Sequence, residues 1–250
     1  MATYKVNQIE QLSIPKICAL VFIPTTTLTM TYIFAGYMQT AIPSILLFFL
    51  LAIIILFPFE LSIVLKMSKK EIGKYSFKSA FYHYDEISPW KIFVYGACLF
   101  AFAGIASITI APFENNLLAP VANKLTQITP TYFNWNNIEQ LKQYSDFVLL
   151  LTCVVYFLFN VIVGPVIEEL FFRGYLTSKI SRFGNFAPLI ITVLFSLYHF
   201  WLPFNNLFRI CAFLPAAWVS WKKKNIYIAI VFHCLCNLFS TIGFIVSVYS

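Results

Sequence analysis

Ten acidic side chains occur in this sequence, and three of them, Glu60, Glu168 and Glu169, stand in apolar stretches rather than in polar loops. Two of the three histidines, His199 and His233, do the same. A charge carried into hydrocarbon costs at least about 2.5–3.5 kcal/mol on insertion scales, so these residues mark where to look for chemistry. The first group is Glu168-Glu169-Leu170-Phe171-Phe172-Arg173. Glu169 and Arg173 are four residues apart, share a helix face and can pair. Glu168 is rotated about 100° from its neighbour and is free to face something else. Adjacent, poorly solvated carboxylates are the residue type from which a general base working near neutral pH is made. The same residues also fit a helix end at the membrane interface with a solvated ion pair.

The second group, Phe195-Ser196-Leu197-Tyr198-His199, puts Phe195 and His199 one turn apart on one face. Alone, His199 equally fits a hydrogen-bonded histidine between packed helices. The third group is His233-Cys234-Leu235-Cys236-Asn237, in which His233 and Asn237 can point into one cavity. A histidine gives a proton donor or acceptor and an asparagine a neutral donor, a combination suited to an oxyanion hole. Polar glue between helices is the competing reading. Cys234 and Cys236 fall on different helix faces and are assigned to packing rather than to a metal. Glu60, in Phe57-Pro58-Phe59-Glu60-Leu61, is expected to be a snorkelling or hydrogen-bonded carboxylate near the end of the second span. His83 is expected to be solvated in a charged loop.

The elements that must hold these groups follow from composition. Hydrophobic residues make up 60% of the chain and charged residues 11%, against about 45–50% and about 25% in an average soluble domain. The apolar residues come in long runs, roughly 15–36, 41–65, 91–112, 147–167, 187–203, 207–221 and 226–248. Runs of this kind read as membrane helices, and the alternation of an outer-membrane barrel is absent. The expected fold is an all-α, polytopic membrane bundle of about seven transmembrane helices, one domain over 1–250, with the motifs in 147–248. The fourth run stays apolar to about Ile180, too long for one straight span, and Gly164-Pro165 inside it predicts a kink or break.

Basic residues set the orientation. With the N-terminus inside, residues such as Lys66, Lys69, Lys70, Lys74, Lys179, Arg182, Lys222, Lys223 and Lys224 fall on the cytoplasmic side, and only Lys124, Lys142 and Arg209 fall outside. That asymmetry predicts a cytoplasmic N-terminus. It also accounts for the net charge of +7 without a nucleic-acid partner. The 113–146 segment is then an external loop, with Tyr132, Phe133, Trp135, Asn136 and Asn137 suited to an interface. No cleavable signal peptide is read at the N-terminus. All six cysteines sit in apolar runs and are expected to be free, buried thiols. Counted from the cytoplasmic ends, His199, His233 and Glu168 lie on the order of 10–20 Å deep, so the three groups can meet in one layer.

Three motifs in this order, each on its own apolar segment, resemble the CPBP family, also called Abi or type II CAAX-protease-like. The resemblance runs from about 147 to 248; the first three spans share only their hydrophobicity. It implies an intramembrane endopeptidase in which Glu168 activates water with help from His199, His233 and Asn237 stabilise an oxyanion, and Glu169 and Arg173 support the first motif. The family has been described both as metalloprotease and as glutamate protease. Without a His-Glu-x-x-His motif the sequence favours no bound cofactor, although a two-histidine, one-glutamate zinc site stays open. The expected partners are membrane lipids and a membrane-anchored peptide or protein substrate. The expected location is a bacterial cytoplasmic membrane. Two other readings compete: a non-catalytic immunity or scaffold protein of the membrane, and a proton relay or transporter. Against the transporter stands the lack of paired broken helices in two similar halves.

Overall fold

The computed structural model describes residues 10–38, 41–77, 85–129 and 137–250. His83, Tyr132, Phe133, Trp135 and Asn136 lie outside them. The apolar runs form helices α1 (Ile14–Met38), α2 (Ser44–Ile72), α3 (Pro89–Ile128), α4 (Asp146–Lys179), α5 (Ala187–Tyr198), α6 (Asn206–Lys222) and α7 (Tyr227–Tyr249). The fold is an all-α, apolar helix bundle. Five of the helices, α1 to α4 and α7, are long and apolar enough to cross a membrane. The core is built from their inward faces, with Ile17, Val21 and Leu28 of α1, Leu56 of α2, Phe171, Phe172 and Leu176 of α4 and Phe195 of α5 fully or almost fully enclosed. Large apolar side chains such as Phe34, Ile54, Ile108, Phe239 and Val246 face outward.

Polar contacts gather several helix ends at one end of the bundle. Leu12 N–H donates to the Lys179 carbonyl at 2.9 Å, and Asp85 N–H to the Lys224 carbonyl at 3.0 Å. Lys70 pairs with Glu10 at 2.7 Å, and Lys179 pairs with Glu71. The start of α1 and the ends of α2 and α4 meet there, and the α6–α7 junction shares a small pocket with Thr177 and Ser178 at the end of α4, so this end collects Lys66, Lys69, Lys70, Lys179, Arg182 and Lys222 to Lys224. The charge clustering expected from the sequence is a feature of the folded chain.

Several boundaries differ from expectation. The third run does not end at 112: α3 continues through Pro112 and Pro120 to Ile128, a helix of 40 residues. Its rise of about 1.5 Å per residue makes it about 60 Å long, twice the hydrocarbon thickness of about 30 Å. Residues 113–128, expected in a loop, are thus helical, while Asn137 accepts from Gln140 N–H at the start of a short helical turn. At Gly96, α3 comes close to α7: a Cβ there would stand 2.6 Å from Val231 Cγ1 and 3.3 Å from the Phe232 backbone nitrogen. Small residues are what allow membrane helices to approach this closely. The cysteines are free among the described residues, but only Cys153 is buried: Cys18, Cys211, Cys234 and Cys236 are half-buried and Cys98 on α3 is exposed.

The fifth and sixth runs form a short hairpin. α5 has 12 residues and stops at Tyr198, not 203, because His199 leaves the helical region at φ −77° and ψ 59°. At about 1.5 Å per residue it rises about 18 Å, well short of a crossing. Irregular backbone at that depth is tolerated only where protein or a water-filled cavity satisfies its polar groups. Two charged residues do this. Arg209 of α6 donates to the carbonyls of Ser196 at 3.0 Å, Leu202 at 3.3 Å and Phe204 at 3.4 Å. Glu114, reaching across from α3, accepts from the N–H groups of Leu207 at 3.0 Å and Phe208 at 2.9 Å in the first turn of α6. A carboxylate at a helix N-terminus satisfies orphan donors and complements the helix dipole. Arg209, expected at the outer end of the sixth run, and Glu114, expected in the external loop 113–146, together hold this turn.

Candidate active site

α4 positions the paired carboxylates, and its course is irregular for a local reason. It runs unbroken from Asp146 to Lys179, so Gly164-Pro165 does not break it. Two widened π segments, Phe157–Val163 and Leu170–Leu176, flank the regular turn Gly164–Glu169 that carries Glu168 and Glu169. In the first π segment Gly164 N–H bonds the carbonyl of Phe159, five residues back. That carbonyl lies 2.6 Å from where a Gly164 Cβ would be, so no other residue fits without displacement. The next carbonyl, that of Asn160, would be reached in the same register by residue 165, which is proline and has no N–H. Asn237 of α7 takes the position instead, its Nδ2 donating to the Asn160 carbonyl at 2.8 Å. The Asn160 side chain in turn donates to Thr241 Oγ1 on α7 at 3.0 Å. π-bulges recur at functional sites because they turn backbone groups outward in this way.

Proline 165 thus acts by leaving a carbonyl free. In Pro165→Ala the new N–H competes for the Asn160 carbonyl and releases the Asn237 amide. We expect the helix to persist, with a melting temperature within a few degrees of wild type, and the Asn237 side-chain amide to change its environment. A nitrogen-edited NMR spectrum of the Asn237 side chain in detergent checks this, and an unmoved resonance would count against it.

The second and third motifs meet the first around one ring. Phe195 is fully enclosed. The guanidinium of Arg173 stacks on it at 4.0 Å, and the rings of His199 and His233 meet it edge-on at 4.7 Å and 5.8 Å. Arg173 pairs with Glu169 Oε1 at 3.1 Å, both side chains being buried. The pair is close but poorly aligned: the Arg173 N–H groups find no hydrogen-bond acceptor of good geometry among the described residues. His233 Nδ1 donates to the same Glu169 oxygen at 2.9 Å, and its Nε2 stands 3.8 Å from Glu168 Oε2. His199 Nδ1 lies 2.7 Å from the Phe195 carbonyl. A carbonyl only accepts, so Nδ1 carries the hydrogen and, in the neutral ring, Nε2 offers a lone pair.

Glu168, His199, His233 and Asn237 line one cavity of about 690 Å³. Its remaining wall is largely apolar, with Phe48, Ala52 and Leu56 of α2 facing Phe100, Ala103 and Gly104 of α3, and Arg209 contributes a cation. Glu169 and Arg173 stand behind it. All six residues singled out in the sequence therefore come together, four at the cavity and two in support. Asn160, Tyr198 and Arg209 were not singled out. Tyr198 and Arg209 could have been found from their places beside His199 and inside an apolar run, whereas Asn160 has no signal short of the π register.

Zinc was the open alternative. His233 does turn to the carboxylates, and with the Nδ1 atoms of His233 and His199 held by Glu169 and by the Phe195 carbonyl, Nε2 is the atom that each ring has left to offer a ligand. Among the described residues no three of His, Cys, Asp and Glu form a group fit to hold a metal ion.

These features define a membrane helix bundle with a buried carboxylate, histidine and amide site. Residues 150–239 match a family model described as Type II CAAX prenyl endopeptidase Rce1-like. The match spans every residue of the three motifs, and it places a CAAX-protease-like domain over that part of the chain. No curated protein and no solved structure matches.

Proposed function

We propose that the chain is an intramembrane endopeptidase that hydrolyses a peptide bond of a membrane-anchored substrate. The observation that carries this reading is the meeting of Glu168, His199, His233 and Asn237 at one largely apolar cavity within the bundle. Glu168 is the general base for a water molecule. The His199 Nε2 lone pair accepts the second hydrogen of that water and fixes its orientation. Attack on the scissile carbonyl puts negative charge on its oxygen, which the His233 Nε2 and the second Asn237 amide hydrogen meet as donors. For His233 this calls for the doubly protonated ring, with Nδ1 donating to Glu169. Glu168 then passes its proton to the leaving amine. The apolar walls contributed by α2 and α3 suit a substrate segment delivered from lipid rather than from water.

Cleavage of a membrane-anchored reporter peptide by the purified chain in lipid tests the reading, before and after treatment with a strong chelator. We expect cleavage that survives chelation within about twofold, since the proposed water activation runs through a carboxylate. Loss of activity on chelation with recovery on adding zinc would overturn the glutamate mechanism, and absence of any cleavage would overturn the protease reading.

We further propose that the basic end of the bundle faces the cytoplasm, with α5 and α6 entering from that side and turning within the bilayer. The clustering of Lys222, Lys223 and Lys224 with Lys179 and Arg182 supports this. A cysteine placed at position 223 of a cysteine-free variant should react with a membrane-impermeant maleimide only in inside-out vesicles. Labelling in right-side-out vesicles would reverse the orientation.

A further inference from the structure

Two buried polar side chains without hydrogen-bond partners share a second cavity. All three nitrogens of the Arg173 guanidinium are enclosed and find no acceptor of good geometry among the described residues, although Glu169 stands beside them. The Ser220 hydroxyl on α6 is enclosed in the same way, with no partner among those residues. Arg173 is 7% exposed and Ser220 3% exposed. Both line a cavity of about 20 Å³ that shares no residue with the large one. Buried donors and hydroxyls left unpaired are costly, so each calls for an account. Glu60 is a different case. Fully enclosed on α2, it is a hydrogen-bonded carboxylate that does not snorkel: the Tyr198 hydroxyl donates to its Oε1 at 2.8 Å, and Glu60 lines neither cavity.

The wall of the small cavity says what fits it. Thr177 and Ser178 come from the end of α4, Ser220 from the end of α6, and Asn225 from the junction before α7, with the exposed Lys224 beside them. A water molecule needs about 10–15 Å³ of such space and about two to four polar partners. The Arg173 N–H groups can donate to its oxygen, and the Ser220 hydroxyl can donate or accept. Thr177 donates to the Phe172 carbonyl at 2.7 Å and Ser178 to the Tyr175 carbonyl at 2.6 Å. Their own oxygens therefore keep lone pairs that can accept from a water hydrogen. A halide ion would accept from Arg173 equally well, but it has no hydrogen to give these oxygens. The C-terminal ends of α4 and α6, the negative ends of their dipoles, also flank the cavity and disfavour an anion. Cavities that stay dry are lined by apolar groups, and this one is not.

We propose that the small cavity is a binding site for one water molecule, which bridges the Arg173 guanidinium of α4 to the Ser220 hydroxyl of α6. The water takes up donors that Glu169 leaves unmet. It also ties the second π segment, Leu170–Leu176, to α6. It is not the water consumed in hydrolysis, because it sits on the Arg173 side, apart from the cavity that Glu168 lines. The site stands whether or not the chain cleaves peptides.

The test uses the full chain in lipid and needs no substrate. A crystal structure at a resolution that shows ordered water is expected to hold one peak within hydrogen-bond distance of an Arg173 nitrogen and of Ser220 Oγ. No peak there would overturn the proposal. A bromide-soaked crystal separates water from an anion, and an anomalous peak at that position would overturn the water in favour of a halide. Stability gives a second reading with a sign. Ser220→Val fills the cavity with methyl groups and removes the hydroxyl. Expelling the water strands the Arg173 N–H groups, and the melting temperature is expected to fall by about 3–8 °C. In a dry void the same change fills empty space, so a melting temperature that holds or rises would overturn the site. Ser220→Ala keeps the space, leaves the water on Arg173 and is expected to melt within about 2 °C of wild type. A Ser220→Ala as unstable as Ser220→Val would also overturn it, since loss of the hydroxyl alone would then explain both. Where Ser220→Val does not fold, the density and the bromide soak decide.

Discussion

Glu168→Gln is expected to lower single-turnover cleavage by about 10²–10⁴-fold, the range that general-base catalysis contributes. The substitution keeps the shape of the side chain and replaces one carboxylate oxygen with an amide that cannot take a proton. The ion pair of Glu168 with His233 across helices is a long one, with Nε2 3.8 Å away and beyond hydrogen-bond distance, so little pairing is lost. The fold should therefore survive, with a melting temperature at or above that of wild type, because a buried charge has been removed. His199→Ala is expected to be nearly as severe, since it leaves the base in place but frees the water. Burst-free kinetics on the reporter peptide, with circular dichroism of each variant, make the measurement. More than a tenth of wild-type turnover in Glu168→Gln would end its assignment as the base. The same residual rate in His199→Ala would leave Glu168 standing and remove only the water-orienting role.

What the sequence made legible and what it did not divide along physical lines. Membrane helices declare themselves by composition, and the seven apolar runs all reappear as helices. Their ends are less visible, because hydropathy falls off gradually while a helix stops for a local reason. α5 ends at Tyr198 through the backbone angles of His199, inside a stretch that stays apolar to residue 203. α3 continues past Pro112 with Glu114 bonded to the first turn of α6, a tertiary contact that hydropathy does not record. The motif residues were legible because a charge or imidazole in an apolar run is rare enough to stand out. Their pairing was partly legible: Glu169 and Arg173 meet as their spacing implies, across 3.1 Å. Across helices, pairing leaves no local trace. Nothing in the spacing says that His233 joins Glu169 rather than facing the cavity alone, or that Asn237 is anchored on the Asn160 carbonyl. Glu114 lies just past the apolar run 91–112, where hydropathy points to a loop, and its role as a cap on another helix exists only in three dimensions.

Arg173→Met is expected to be the most destabilising single change at the site. The Arg173 side chain is 3% exposed and that of Glu169 is 1% exposed, and they face each other at 3.1 Å. Methionine matches much of the arginine's volume and still packs on the Phe195 ring, so the lost contact area is small. What remains is a buried carboxylate without its cation, and breaking a buried pair in this way costs about 3–5 kcal/mol. The His233 Nδ1 donor at 2.9 Å compensates in part, which makes the lower end of that range the expected value. A stability loss of this size is a large share of the total for most folded proteins, about 5–15 kcal/mol. Removing the orphaned charge as well should reverse it. In Glu169→Gln/Arg173→Met the orphaned charge at position 169 is gone, the glutamine oxygen still accepts from His233, and stability should return to within about 1 kcal/mol of wild type, as replacement of buried pairs by neutral groups commonly allows. Thermal melts of the wild type and the two variants in one detergent distinguish the cases. If Arg173→Met melts with the wild type, the pair is not holding a buried charge. If the double variant is as unstable as the single, the loss comes from packing on Phe195, and the stacking contact at 4.0 Å, not the ion pair, is what secures α4 against α5.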